Sequence, residues 1–345
     1  MPQPDPNLPD SVTFAQFTGL RNNVTSERLT PTDLERATNI DLDDTGQPRR
    51  RRGFTQKSTI ASHSLFTSVR GTLVVRGGDL GWLRDDFSFS LLKAAVGPTP
   101  VAYVEVGSDI YFSSSGYSGI IRTNDTVDPW GAAVSAGQWE SPVLRPTTTL
   151  GQVRGKLLGA PPLATDLALL NGRIYLANGP VVWATELYQY SYVDKTRNFL
   201  QFESDVTMLA ATNDGLFVGT KTHTWYLSGP FGQMNRDEAA ATGVFSGSKA
   251  YVPRENINLQ AQGVSAASKM AIVFMGEMGI FAGVDGGACF NLTNDKVWFP
   301  VAISAAAMFR RQDGMNQYIA VTDSAGTPSA TARIGDYVEA EIRRF

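Results

Sequence analysis

Apolar residues in this chain come in short runs of four to seven, each broken by a polar turn, and the clearest instance runs from Asp205 to Leu227 (DVTMLAATNDGLFVGTKTHTWYL). Val206, Met208, Leu216, Val218, Trp225 and Leu227 stand among small and polar residues, a pattern suited to pleated strands rather than to a helical stripe. Between two of the runs lies Asn213-Asp214-Gly215. Asn and Asp tolerate positive φ and Gly meets no steric penalty there, so the triplet predicts a primed hairpin turn.

The same phrase of strand, Gly-bearing turn and strand recurs at Val101 to Ile121 around Gly107, at Leu167 to Trp183 around Asn171-Gly172, and at Met270 to Phe290 around Gly276 and Gly279. Weaker copies lie at Thr67 to Leu83 around Gly71 and at Phe309 to Thr322 around Asp313-Gly314. The turn glycines at 71, 107, 172, 215, 279 and 314 are spaced 36, 65, 43, 64 and 35 residues apart. Repeats of four-stranded sheets about 40 to 50 residues long are the signature of a β-propeller. The expectation is therefore an all-β protein with a single β-propeller domain over residues 14–345, of about six blades with five as the other count, carrying insertions at 122–166 and 228–249.

Residues 1–13 are polar and Pro-rich and predict an extended arm. Thr32 followed by Glu35 fits a capping box, with Asp33 in the first turn, which predicts a short helix; Thr38 to Leu42 then alternates as a strand and Asp43-Asp44-Thr45-Gly46 as a turn. Pro129, Pro142, Pro146, Pro161 and Pro162 mark the first insertion, because Pro cannot donate to a central ladder; MNRDEAAAT in the second suggests a helical turn or two. An unpaired edge invites aggregation, so the C-terminal run with Ile334, Tyr337, Val338 and Ile342 is expected to close the ring by pairing with a strand near Thr38 to Leu42 or just after Arg52.

Composition narrows the chemistry. Over 345 residues with 42% hydrophobic and 18% charged, 33 Gly and 18 Pro, the chain reads as globular and turn-rich, and its net charge of −3 argues against a broad basic grip on nucleic acid. The first ten residues lack the basic and apolar regions of a signal peptide, and no apolar run approaches the roughly 20 residues of a membrane span. The single Cys289 and two histidines, His63 and His223, offer neither an internal disulfide nor a zinc set, and Cys289 reads as a buried small hydrophobe. There is no G-x-S-x-G; Gly151 to Leu157 is one residue short of a P-loop; Gly77 to Gly81 misses the dinucleotide pattern; and Asp41 to Arg52 lacks the twelfth-position Glu of a calcium loop. Asp85-Asp86 are adjacent and suit a solvated turn. Trp183, Trp225, Phe217 and Phe281 read as inter-blade core, with a sugar-stacking platform as the other reading. No cofactor, metal or catalytic residue is expected.

The strongest charge feature is Arg49, Arg50, Arg51 and Arg52. These guanidinium groups suit DNA phosphates or an acidic neighbouring subunit. Equally, residues 1–48 hold eight acidic and three basic residues while 49–57 hold five basic and none acidic, so the run can serve charge balance within or between subunits.

The order FxGLxNN…RL, a short capped helix, AxNxDLDDxGxxRRRxG and then propeller-like hairpins resembles the opening of phage virion proteins of the packaged-DNA stabilisation and tail-nozzle kind. The phrases GPVVWAT at 179–185, FLQF at 199–202, VTMLAATNDGLFVGTKTHTWYLSG and MGEMGIFAGVDGGACFNLT extend the likeness over most of residues 14–300. The resemblance implies a non-enzymatic virion component, made in the host cytoplasm, that forms a homo-oligomeric ring, six-fold in the family, below the portal and adaptor, where genomic DNA is retained and later ejected. In such a ring the two insertions are natural contact surfaces, with Pro129, Trp130, Trp139, Phe231 and Arg236 as candidate assembly contacts. Two other readings stay open: a virion-surface receptor- or carbohydrate-binding propeller, and a polysaccharide-degrading propeller enzyme with facing carboxylates.

Overall fold

The hydrophobic runs fold into short strands throughout the computed structural model, and helix among the described residues is confined to short 3-10 turns such as Ser26–Arg28 and Arg254–Asn256. The structure describes residues 17, 19–35, 40–42, 47–50, 55–131, 158–257, 270–293, 296–299, 302–312, 315–324 and 338–342. Near the N-terminus β1 (Gly19–Leu20) pairs in parallel with β2 (Asp33–Leu34), and β3 (Ile40–Leu42) forms an antiparallel hairpin with β4 (Pro48–Arg50).

Five four-stranded antiparallel sheets follow one another as the blades of a propeller. Blade one holds β5 (Ser62–Ser68), β6 (Gly71–Arg76), β7 (Asp79–Leu83) and β8 (Phe89–Lys93). Blade two holds β9 (Ala102–Val106), β10 (Asp109–Ser113), β11 (Ser118–Ile121) and β12 (Val127–Pro129). After β13 (Leu158–Gly159), blade three is built from β14 (Asp166–Leu170), β15 (Arg173–Asn178), β16 (Val181–Ala184) and, past β17 (Val193–Asp194), β18 (Phe199–Gln201). Blade four holds β19 (Val206–Ala211), β20 (Gly215–Thr220), β21 (Thr224–Ser228) and β22 (Asn235–Ala240); blade five holds β23 (Ala250–Pro253), β24 (Met270–Gly276), β25 (Gly279–Gly283) and β26 (Cys289–Asn291). A three-stranded sheet of β27 (Ala302–Gln312), β28 (Met315–Ser324) and β29 (Val338–Ile342) completes the order.

Packing explains why the middle strands read as continuous apolar runs. Successive side chains point to opposite faces of a sheet, and here each face meets a different neighbouring blade. Leu216 and Val218 pack with Ala168, Tyr175 and Val182 of blade three, whereas Phe217 between them packs with Ile272, Phe274 and Phe281 of blade five. Ile110 and Phe112 likewise join blade one, while Tyr111 joins blade three. Blade five turns Val273, Met275, Ile280 and Ala282 toward Tyr318 and Ala320 of the last sheet. Each such buried aliphatic or aromatic side chain contributes about 1.5–3 kcal/mol. Outer strands have one side open to solvent, and β22, with the sequence NRDEAA, is accordingly polar and largely exposed.

Several expectations are corrected. The primed turn forms at Asn171 (φ 48°) and Gly172 (φ 72°), but none of Asn213, Asp214 and Gly215 has positive φ. Thr212 closes that turn instead: its N–H donates to the Gly215 carbonyl at 2.9 Å and its hydroxyl accepts the Gly215 N–H at 3.2 Å. Gly215 is required by close approach, since a Cβ there would press into the Tyr226 ring and lie 2.6 Å from the Leu227 carbonyl oxygen. The helix expected from Thr32 is absent. Asp33 lies in β2 with its carboxylate buried, accepting from the Thr30 hydroxyl at 2.9 Å and from Arg21 at 3.4 Å. The surrounding segment is docked: Asn22 donates to the carbonyl oxygens of Lys296 (3.1 Å) and Trp298 (2.9 Å) and accepts the Trp298 N–H (2.9 Å). Tertiary anchorage outweighs a capping preference worth about 1 kcal/mol.

The insertion boundaries also move. Val127–Pro129 is the outer strand of blade two, with Pro129 on its terminal residue where a missing donor is tolerated. The expected helical turn in MNRDEAAAT is strand β22, held by pairing with β21. Among the described residues the ring is not closed through a shared terminal sheet: β3 pairs with β4, and β29 pairs with β28. The arm at 1–13, the turn at 43–46 and the Asp313-Gly314 turn lie outside the described residues.

Candidate functional site

Residues of the first strands of the sheets, β5, β9, β14, β19, β23 and β27, together with Met270 and Ile272 of β24, line a cavity of about 610 Å³. Its wall is mainly apolar, including Phe66, Val101, Leu167, Met208 and Ile272, with Glu105, Asp166, Lys249 and Asp285 as its charged members among the described residues.

Asp166 opens β14 and is 9% exposed. Its Oδ1 accepts from Lys249 Nζ at 2.5 Å and from the Leu167 N–H at 2.8 Å, and its Oδ2 accepts the Leu209 N–H at 2.7 Å. Lys249 Nζ also donates to the Leu209 carbonyl at 2.7 Å. One ion pair thus ties β14, β19 and the approach to β23, three blades at once. Partial burial of both charges is offset because each is paired and hydrogen-bonded. Asp285 accepts the Asn213 N–H at 3.0 Å and its side-chain amide at 2.8 Å, joining blades four and five.

The neighbouring strand β9 is less satisfied. Glu105 projects from the same face of β9 as Tyr103, and Glu105 Oε1 and the Tyr103 hydroxyl are both buried with no hydrogen-bond partner. Desolvation pushes the Tyr103 phenol well above its usual range. The Tyr103 ring stacks on Phe66 with centroids 5.2 Å apart. Nearby, His63 Nε2 is buried without a partner, its pKa lowered by desolvation, while its Nδ1 lies 2.8 Å from Ser64 Oγ.

A second polar cluster sits on blade four. Glu203 Oε1 accepts from the hydroxyls of Thr220 (2.6 Å) and Thr222 (3.3 Å) and from Trp225 Nε1 (3.2 Å), and Oε2 accepts from Arg236 at 2.9 Å. Desolvation pushes the Glu203 carboxyl up, but hydrogen bonds from Thr220, its own backbone, Trp225 and Thr222 outweigh it and hold it down to about 2.

Among the candidate assembly contacts, Trp130 is buried (4% exposed), set edge-on to Tyr111 at 5.3 Å with its Nε1 donating to the Tyr190 carbonyl at 2.8 Å. It is therefore core between blades two and three, a correction to its reading as a surface contact. Phe231 is half-buried against Tyr175 with the Arg173 guanidinium 5.0 Å above its ring. Arg236 is spent within the chain, 4.0 Å from the Trp225 ring and 4.3 Å from that of Phe202 as well as paired to Glu203. Pro129 is exposed. Trp139, Arg51 and Arg52 lie outside the described residues; Arg49 and Arg50 lie in β4, where Arg50 is exposed.

Phe217 and Phe281 are core, as expected. Trp183 and Trp225 are half-buried, each with a cation over its ring, Lys195 at 5.1 Å and Arg236 at 4.0 Å. Cys289 is half-buried in β26, and burial pushes its thiol up to about 12. Asp85 and Asp86 lie in the turn between β7 and β8. No local pattern points to Asp166, Lys249 or Glu105: the first two are 83 positions apart, and a lone Glu in an apolar strand reads as a solvent-facing residue. Among the described residues no group of three or more His, Cys, Asp or Glu is placed to hold a metal, and no helix is long and apolar enough to cross a membrane.

No family model and no curated protein matches the chain. Solved structures similar to it include the extracellular domain of a putative hybrid two-component system from B. thetaiotaomicron (9% identity, 80% of this chain and 33% of that one, TM-score 0.47). Others are a gluconolactonase from Xanthomonas campestris (11% identity, 76% and 83% covered, TM-score 0.45) and the Pan2 WD40 domain of Neurospora crassa (10% identity, 74% and 70% covered, TM-score 0.41). The chain spans about a third of the length of the B. thetaiotaomicron domain. The propeller assignment rests on the sheet order itself.

Proposed function

We propose that the chain is a structural subunit of a phage tail nozzle or hub, assembling as a ring below the portal and adaptor. The observation that carries this reading is where the polar groups go. Asp166 and Lys249 at the cavity, Asp285 with Asn213, and Arg70 reaching from blade one to Asp125 and the Ser108 carbonyl of blade two are all consumed in ties from blade to blade. Such ties suit a rigid block that transmits load. The resemblance of the 14–300 region to tail-nozzle proteins supplies the place for that block.

The cavity, about 610 Å³, is too small for duplex DNA, whose major groove alone is about 12 Å wide. A DNA conduit must then lie between copies of the chain, around the ring's own axis. Glycan stacking is less favoured, because Lys195 and Arg236 already lie over the rings of Trp183 and Trp225. Cryo-electron microscopy of intact virions tests the proposal. The expected result is a ring of copies on the tail axis directly below the portal and adaptor; a single propeller projecting from the side or tip of the tail overturns it in favour of receptor binding.

A further inference from the structure

We propose that Trp298 is a docking platform for the Pro-rich segment 2–9 of a second copy of this chain, so that copies join head to tail. This contact belongs to the ring reading above and rests on it. Between blade five and the last sheet, Val297 and Phe299 are buried in the core that those two sheets share, and Trp298 between them is turned outward, 59% exposed. Its backbone is pinned. Asn22 accepts the Trp298 N–H and donates to the Trp298 carbonyl, each at 2.9 Å, and the neighbouring Phe299 N–H donates to the Glu277 carbonyl at 2.9 Å. Those bonds bring two further exposed apolar residues to the same surface, Leu20 (36%) two positions from Asn22 and Met278 (40%) beside Glu277. An indole on a backbone already ordered loses little further freedom on binding, and Trp is among the residues that dominate interface energetics.

The sequence supplies the occupant. Residues 2–9, PQPDPNLP, hold four prolines and a leucine. Such a segment favours polyproline II, a preformed extended helix that docks on aromatic surfaces with a small loss of entropy.

Its attachment point favours a neighbouring copy over its own chain. Gly19 and Leu20 are fixed in β1 and the chain runs from there to Asn22 at Trp298, so the residues upstream of β1 lead away from the patch. From Gly19 back to Pro4 is about 15 residues, roughly 50 Å when extended. A domain of 345 residues has a radius of gyration of about 20 Å. A stiff Pro-rich segment of that reach meets the next copy more readily than it folds back. One patch that receives and one segment that leaves each chain make a heterologous interface, which closes into a ring when its rotation allows.

Sedimentation velocity of the full chain tests this with two variants. Trp298→Ala removes the indole and keeps the backbone bonds to Asn22; P2S/P4S/P6S/P9S removes the polyproline preference. The native chain should associate as its concentration rises, and each variant alone should associate at least about tenfold more weakly. Mixed one to one, the two variants should form a heterodimer and nothing larger, because one intact segment and one intact patch remain between them. A native chain that is monomeric up to about 100 μM, unchanged association of either folded variant, or no heterodimer in the mixture each overturns the proposal. The proline variant decides even if Trp298→Ala does not fold. An axial ring in virions with no heterodimer in the mixture sinks this contact alone, and a heterodimer with a lone propeller at the tail tip sinks the ring reading alone.

Discussion

Glu203 illustrates what a single residue can be made to carry. Four side-chain donors converge on its carboxylate, and its folded pKa of about 2 lies below the roughly 4.3 of an unfolded Glu. A depressed carboxylate pKa means the unfolded state binds the proton more readily. The associated stability is therefore present above about pH 4.3 and is lost as pH falls toward 2. Glu203→Gln should lower the urea midpoint at pH 7 by an amount equivalent to on the order of 1 kcal/mol, discounted because the side chain is about a third exposed. The gap between the two proteins should narrow between pH 4 and pH 2; a gap that stays constant with pH would show that packing rather than charge holds the cluster. Gly215 carries a different lesson. Its identity suggested a positive φ, whereas the structure needs it for the Tyr226 ring.

At the scale of the element, strands that are remote in sequence are joined by the pair Asp166 and Lys249. Asp166→Ala leaves Lys249 only partly exposed and without its carboxylate, and removes the acceptor for two backbone N–H groups, so it should cost about 3–5 kcal/mol in a denaturant melt. Adding Lys249→Met should recover part of that loss. Strict additivity of the two substitutions would show that the ion pair does not couple the blades. Strand β22 makes the complementary point: the Ala-rich MNRDEAAAT has local helix preference, yet it pairs with β21 as an outer strand. Propensity is a weak prior that the ladder overrides.

For the molecule as a whole, five sheets stack so that each hydrophobic cluster belongs to two neighbours, and the last cluster is completed by the three-stranded sheet. Removing residues 302–345 should uncover Val273, Met275, Ile280 and Ala282 of blade five. The truncated protein is expected to bind a hydrophobic dye and to associate, because exposed strands and apolar patches drive aggregation. A monomeric, dye-negative product of unchanged melting temperature would show that blade five does not depend on that sheet.

The strand-turn-strand repeats, and so the all-β propeller, were legible in the sequence, because alternation and turn chemistry act over a few residues. Local sterics at Asn171-Gly172 and apolar runs such as GLFVGT fix a hairpin wherever they stand. What only the tertiary structure decided was how those hairpins group into blades, and which polar residues meet. Trp130, set among prolines, belongs to the core because Tyr111 of β10 and Tyr190 of the segment between β16 and β17 come to it. Asp166 finds Lys249 across 83 positions, and Glu105 Oε1 has no partner among the described residues. The burial of a charge and the identity of its partner depend on the spatial neighbours of a residue, which no local pattern of the chain encodes.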